Sequence, residues 1–365
     1  MAIYYYVFIW SIITGCVFIL NNKNFSKRLF LIINIIPIIL ITGFRSINNG
    51  RDTYMYVTIY NTIKDTDWNL IFDVIPRIDK GYLLLNKLIS LLDLDYTGFF
   101  LIISFITYTG IALFFYKYST NIWLTLYLFI TNLYIFDPFN IVRQMLALSI
   151  ILISFDLLLK RNYKIFAIIV IFASFIHLSA ILFLLLLFLK FNSDNISKSL
   201  NRMIMLWCMI SIVIVVLVFL FKPLLSLLDT YSYILQSYAS ADAIKFGFIR
   251  NCIYAILPSL LMLYGLKNNI YNKMELHWVF ILLNASFLFL VINILTYTVT
   301  SMFSRLAIYF QIFICLSIPL GLKCFGKYTQ VFINIIIIFL WGIYFYYYLN
   351  MQYKDDLIQE YILSI

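Results

Sequence analysis

Ten stretches of this chain are apolar over a bilayer's thickness or close to it. They are Ile3–Leu20, Leu29–Gly43, Phe99–Tyr116, Ile122–Phe136, Ile141–Leu159, Met203–Phe221, Phe248–Leu266, Trp278–Leu295, Leu306–Leu320 and Val331–Tyr348. Hydrocarbon offers no partner for an unpaired backbone N–H or C=O, so each stretch is confined to helix. The expected fold is an all-α, polytopic integral membrane protein. Composition leaves no competing class: 64% of the 365 residues are hydrophobic and 12% are charged. The opening Met-Ala-Ile-Tyr-Tyr-Tyr has neither the basic leader nor the small-residue cleavage site of a signal peptide, and the first stretch is read as a retained span.

One further apolar segment, Ile165–Leu189, is interrupted by Ser174, His177 and Ser179. Lys160, Arg161 and Lys164 precede it, and Lys190, Lys198 and Arg202 follow it. Lys and Arg collect in short cytoplasmic loops, so basic flanks on both sides fit a broken helical hairpin that returns to the face it left. With the Lys23–Arg28 loop inside, the hairpin leaves only Asp156, Asp194 and Glu275 as acids on the cytoplasmic side. A single crossing gives a poorer asymmetry. The expected topology is about ten full crossings plus the hairpin, with both termini outside. Arg45, Arg51, Arg143 and Arg305 then share the outer face.

No repeat or linker divides the sequence, and residues 1–365 are read as one membrane domain. Two outer segments are large enough to contribute to a site. Residues 44–98 contain Gly81-Tyr-Leu-Leu-Leu-Asn-Lys-Leu-Ile-Ser-Leu-Leu, apolar but too short to span, which fits an interfacial or half-inserted helix. Residues 222–247 are rich in Ser, Tyr and Ala.

In so apolar a chain, ionisable groups at a membrane face are the candidates for function. Arg45, Arg51 and Asp52 sit in Gly43-Phe-Arg-Ser-Ile-Asn-Asn-Gly-Arg-Asp-Thr-Tyr, and Arg51-Asp52-Thr53 opens a short helix through Ile63. Arg143 follows Asp137-Pro138 at the start of one span, and Arg305 follows Ser301 and Ser304 at the start of another. Helix N-termini present free N–H groups and partial positive charge, so arginines there point to an anion. Arg250, three residues inside a span start, ranks behind Arg305. Asp52 reads first as an N-cap and second as a proton acceptor. His177 breaks an apolar run where the hairpin turns, and its titration range suits proton transfer. Asp137 before Pro138 is turn chemistry, and His277 beside Trp278 is an interface residue.

The net charge of +10 is scattered between spans and forms no basic face for nucleic acid. The two histidines are far apart and the five cysteines have no ligand spacing, so neither metal nor cofactor is expected. Asp65-Thr-Asp67 and Asp93-Leu-Asp95 match the metal-holding pair of nucleotide-sugar transferases in letters only. Nothing in the sequence can form the nucleotide-binding α/β domain such a pair serves, and loop polarity accounts for both.

The order of the motifs resembles the EpsG and Wzy-type polysaccharide polymerase families of bacterial membranes. The resemblance rests on Gly43-Phe-Arg…Gly50-Arg-Asp-Thr-Tyr-Met-Tyr, Asp79-Lys-Gly-Tyr-Leu-Leu-Leu-Asn-Lys-Leu, Ile141-Val-Arg-Gln-Met-Leu-Ala-Leu-Ser and Phe175-Ile-His-Leu-Ser-Ala. Ser304-Arg-Leu-Ala-Ile-Tyr is a looser fifth element, and Asp79 stands where the pattern leads one to expect Glu. The resemblance implies a membrane glycosyltransferase that polymerises undecaprenyl-pyrophosphate-linked oligosaccharide repeat units at the outer face of the bacterial inner membrane. Its product would be a surface polymer of the O-antigen, lipopolysaccharide, capsule or exopolysaccharide kind. It further implies pyrophosphate or glycan contacts for Arg45, Arg51, Arg143, Arg250, Arg305, Asp79 and Tyr82, and chemistry at His177 and Asp52. The implied partners are the lipid-linked glycan, the bilayer and a chain-length regulator. Where no metal is used, arginine is the natural counter-ion for a departing diphosphate, because its fork binds phosphate oxygens bidentately and stays charged. A flippase of lipid-linked glycans and an O-antigen ligase-like transferase share these features. A transporter should carry broken helices at matching positions of two halves, and the sequence has no such pairing.

Overall fold

The computed structural model describes residues 2–18, 24–188, 196–226, 241–298 and 303–354. The described residues are 84% helical, with no strand among them. It packs as two compact units, one formed by Met1–Leu184 with Val331–Ile365 and the other by Leu185–Gln330.

The first unit begins with α1 (Ala2–Phe18) and α2 (Asn24–Gly43). A helical loop then carries α3 (Thr53–Asp65) and α4 (Lys80–Ser90). After it come α5 (Tyr96–Tyr118), α6 (Ile122–Thr131), α7 (Asp137–Asn140), α8 (Val142–Ile153), α9 (Phe155–Leu159), α10 (Tyr163–Ser174) and a 3-10 segment, Leu178–Phe188. Small residues let the helices at its centre approach closely. A Cβ on Gly43 would lie 2.9 Å from the Leu101 Cα, and one on Gly110 2.9 Å from the Ser149 carbonyl oxygen. These contacts seat α2 and α8 against α5. The last helix, Lys327–Lys354, returns to this unit: Tyr127 Oη donates to the Ile338 carbonyl at 2.5 Å and Phe8 stacks on Phe345 at 4.7 Å.

The second unit contains α11 (Ile196–Ser226), α12 (Ala241–Lys267), α13 (Lys273–Thr298) and α14 (Ser304–Gly321), so Lys327–Lys354 is α15. Side-chain amides tie its apolar helices together, as polar groups in hydrocarbon require a partner. Trp207 Nε1 donates to Asn284 at 2.8 Å, and Asn251 Nδ2 donates to Asn293 at 2.6 Å. Lys323 and Glu275 form an ion pair at one end.

Among the described residues, six helices are long and apolar enough to cross a membrane, or seven when one bent pair counts as a span. That is fewer than the ten read from hydropathy. Helix α1 is described over 17 residues, and two of the expected spans, Ile122–Phe136 and Ile141–Leu159, do not continue as single helices. After Thr131 the chain passes through Leu133 in a left-handed conformation (φ 62), turns by 69° and runs through Tyr134–Asn140. Pro138 fits the first turn of α7, where its missing N–H costs nothing. Ile141 then leaves helical geometry (φ −119, ψ 48), and α8 starts afresh at Val142. Hydropathy sums over a window and cannot see the backbone angle of a single buried residue such as Leu133. The Ile165–Leu189 segment is also broken, with Phe175–His177 between α10 and the 3-10 segment.

In the loop, α3 and α4 run side by side in the same direction. Tyr56 meets Tyr82 near their starts, at 6.1 Å between rings, and Lys87 reaches the end of α3. The Lys87 ammonium donates to the carbonyls of Ile63, Lys64 and Thr66 at 3.3, 3.1 and 2.5 Å, which satisfies the orphan acceptors of a helix C-terminus and complements its dipole. Tyr60 Oη donates to Leu94 at 3.0 Å and its ring stacks on Phe99 at 4.4 Å, fastening the pair to α5. Asp95 caps α5, accepting from the Gly98 N–H at 2.9 Å, a bond that holds its carboxyl below the usual range. Replacing Lys87 with methionine keeps the stem and takes the ammonium from the Lys64 and Thr66 carbonyls, leaving Ile63 only the Thr66 N–H. The expected cost is about 2 kcal/mol of local stability, or roughly 30-fold in opening. Faster protease cleavage between residues 66 and 79, with the spanning helices intact, would register it.

Candidate functional site

Four sequence-distant pieces of the first unit converge where α3, α4 and α8 begin. The first is the turn after α2. Gly50 adopts φ +91, a left-handed angle that favours glycine. A Cβ there would lie 3.1 Å from both Asn140 Oδ1 and the Phe139 carbonyl. Beside it the Arg51 N–H donates to Asn140 Oδ1 at 2.7 Å. Thr53 Oγ1 bonds the Asn49 carbonyl, and Tyr56 Oη donates to the Asn140 carbonyl at 3.4 Å. The turn is thereby clamped onto Phe139 and Asn140, the last two residues of α7.

That start is the second piece. Arg143 is the second residue of α8 and is half-buried. Its Nη1 donates to Asp79 Oδ2 at 2.7 Å, while its Nε is buried and makes no hydrogen bond within the protein. The Tyr56 hydroxyl lies against both the backbone N–H and the guanidinium of Arg143. Burial pushes that phenol above its usual range, and the Arg143 charge opposes the push.

Asp79, the third piece, occupies the N-cap position of α4 without capping it, because its carboxylate turns to Arg143 instead. The same oxygen lies 3.6 Å from His177 Nδ1, in the break that forms the fourth piece. What joins these two pieces is Gly81. Its N–H donates to the Phe175 carbonyl at 2.9 Å, and a Cβ on it would stand 2.6 Å from that oxygen and 2.7 Å from the carbonyl carbon. Only a residue without a side chain lets α4 come this close to the His177 turn.

The other sequence candidates are placed as follows. Arg45 is 1% exposed, with its guanidinium 3.9 Å from the Phe100 ring centre and 5.0 Å from that of Phe139, and its Nη1 donates to the Thr42 carbonyl at 3.1 Å. Arg51 is exposed at the foot of α3. Asp52 sits at the N-cap of α3 and makes no side-chain cap bond. Tyr82 is fully buried, with its ring 6.0 Å from the Arg143 guanidinium; burial raises its phenol strongly. Arg250 and Arg305 belong to the second unit. Arg250 donates to Asn251 Oδ1 through Nε and Nη2 at 3.0 and 2.7 Å and lies 5.7 Å from the Tyr254 ring; Arg305 is exposed in the first turn of α14. Residues 227–240 of the Ser/Tyr-rich loop lie outside the described residues. Among those described, no three His, Cys, Asp or Glu side chains stand close enough to hold a metal ion.

Sequence reasoning passed over Tyr56, Asn140 and Gly81. The signals were present: an Asn two residues after Pro138, and a Gly inside the first turn of a helix, where it weakens the helix unless something must approach.

Fold and site together define a class: a polytopic α-helical membrane protein that uses broken helices to gather arginine, carboxylate and imidazole at one end of a bundle. The chain belongs to the EpsG family, whose family model matches residues 28–363. No curated protein and no solved structure gives a match. Membership of the family supports a polysaccharide polymerase of the Wzy-like kind in general terms, and with it a glycosyltransferase-type enzyme in a lipid bilayer.

Proposed function

We propose that this protein polymerises undecaprenyl-pyrophosphate-linked oligosaccharide repeat units at the outer face of the bacterial inner membrane, without a metal ion. The observation that carries the reading is the shared oxygen of Asp79, which stands between a guanidinium at a helix N-terminus and an imidazole.

In the transfer, the bond between the donor's anomeric carbon and its diphosphate oxygen breaks. A bond from that carbon to an acceptor hydroxyl oxygen forms, and the hydroxyl proton leaves to a base. Arg143, whose buried Nε makes no hydrogen bond within the protein, takes the diphosphate as it departs at the positive end of α8. Arg51, exposed at the start of α3, adds a second cation. His177 accepts the proton, and the Asp79 carboxylate 3.6 Å from its Nδ1 favours the charged ring that results. Asp52 steadies Arg51 or serves as a second base. Arg45 and Tyr82 act from beneath, one as a fixed positive charge and the other as a floor under the Arg143 guanidinium. Arg250 and Arg305 are assigned to pyrophosphate or glycan as well, and a chain-length regulator is the further partner.

The test is a pair of single replacements, His177→Ala and Arg305→Ala, read out as surface polysaccharide in cells with normal protein levels. Loss of a positioned general base is expected to slow transfer by about 10²–10⁴-fold, leaving glycans of one repeat on the surface. Disappearance of every exported repeat would instead indicate a flippase, and long chains in both variants would refute the assignment.

A further inference from the structure

We propose that α4 and the segment leading into it form a platform seated on lipid, with their exposed apolar side chains in the boundary between headgroups and acyl chains of the leaflet that α5 enters. The proposal concerns a surface and stands apart from the sugar-transfer reading.

Helix α4 has two unlike faces. Tyr82, Leu83, Asn86 and Lys87 are buried. Leu84, Leu88 and Leu91, at spacings of four and three, form an opposite stripe that is 39, 49 and 63% exposed, and Leu92 continues it at 61%. The segment 66–79 runs back along α4: Trp68 lies 5.8 Å from Lys87 Nζ near one end, and Phe72 lies 5.8 Å from Lys80 Nζ near the other. It presents Trp68, Leu70, Phe72 and Val74, each more than a third exposed. Eight large apolar side chains exposed on two adjoining segments mark a surface that something other than water covers.

What covers it follows from where the chain goes next. Helix α5 is 23 residues long, about 34 Å against a hydrocarbon core of about 30 Å, so its first residues stand at the membrane boundary. The Asp95 cap fixes that start. Tyr96 is four residues beyond Leu92, a reach of about 14 Å at full extension, so the stripe cannot leave the neighbourhood of the boundary. Trp68 among leucines, rimmed by Arg77, Lys80, Asp67 and Asp73, is the composition of an interfacial element. Lipid is the occupant that geometry and chemistry both select. Asp79, at the N-cap of α4, is thereby carried at headgroup depth.

The experiment uses the full chain in vesicles of phosphatidylethanolamine and phosphatidylglycerol, the latter carrying a photoactivatable diazirine high on its acyl chain. After illumination, adducts on the peptide containing Leu84–Leu92 are expected at yields comparable with those on the spanning helix α15. Leu88→Glu is expected to remove most adducts from that peptide and leave those on α15 unchanged, which separates lost seating from lost folding. Absence of adducts on residues 68–92 with labelling of the same residues by a water-borne probe would overturn the proposal. So would crosslinks at this peptide to a second copy of the chain.

Discussion

Cells whose only copy carries Arg143→Lys are expected to keep the protein in the membrane and lose long-chain polysaccharide. Lysine preserves the charge but replaces a planar fork of five donors with a single ammonium, which can serve Asp79 or a diphosphate but has no fixed geometry for both. Removing one preorganised donor to developing charge typically costs about 10²–10³ in rate. Arg143→Ala should fall at or beyond that range, because it also deprives the partly buried Asp79 of its cation. Chain-length distribution on gels, at protein levels matched by immunoblot, is the measurement. Normal long chains in Arg143→Ala would dismiss the cluster as a transferase site.

The second large effect is expected from a single methyl group. Gly81→Ala should improve helix propensity by as much as ~1 kcal/mol, yet it places a carbon 2.6–2.7 Å from backbone atoms of Phe175 that have no flexible end to move. Relief requires α4 and the His177 turn to separate, stretching the Gly81–Phe175 hydrogen bond and parting Asp79 from the imidazole. Overpacking of this sort costs about 1–3 kcal/mol, so net stability shifts modestly. Activity should not be spared, since a displacement near 1 Å at a reacting centre can cost about 10²-fold. The expected signature is a folded, normally abundant protein with single-repeat surface glycan. Full activity in Gly81→Ala would show that the Asp79–His177 approach is irrelevant to function.

How much of this was legible in the letters divides along physical lines. Apolar run length is a local property and predicted the all-α membrane fold. Arginine after Asp137-Pro138 marked a helix start, and His177 marked a break, because both are exceptions to their surroundings. The bend at Leu133 was hidden, since a left-handed leucine leaves no trace in hydropathy, and two runs counted as spans are broken. Arg45 reads in the sequence as an ionisable candidate at a membrane face, and nothing there forecasts its sandwich between Phe100 and Phe139, rings from positions 55 and 94 residues away. Lys87 read as one polar letter in an apolar helix, whereas its partners are carbonyls at the end of α3. Pairings across the chain are invisible to any window that moves along it.

The junction of Gly81 with Phe175 joins segments 94 positions apart through one amide hydrogen bond and a bare backbone contact. Contacts of such separation close late as a chain assembles, and regions held by so few of them open first when a protein loosens. A detergent or a rise in temperature that leaves every helix intact can therefore silence the centre by undocking this seam. Retained helical circular dichroism is then no warranty of competence, and purification should be followed by an assay of the assembled corner itself.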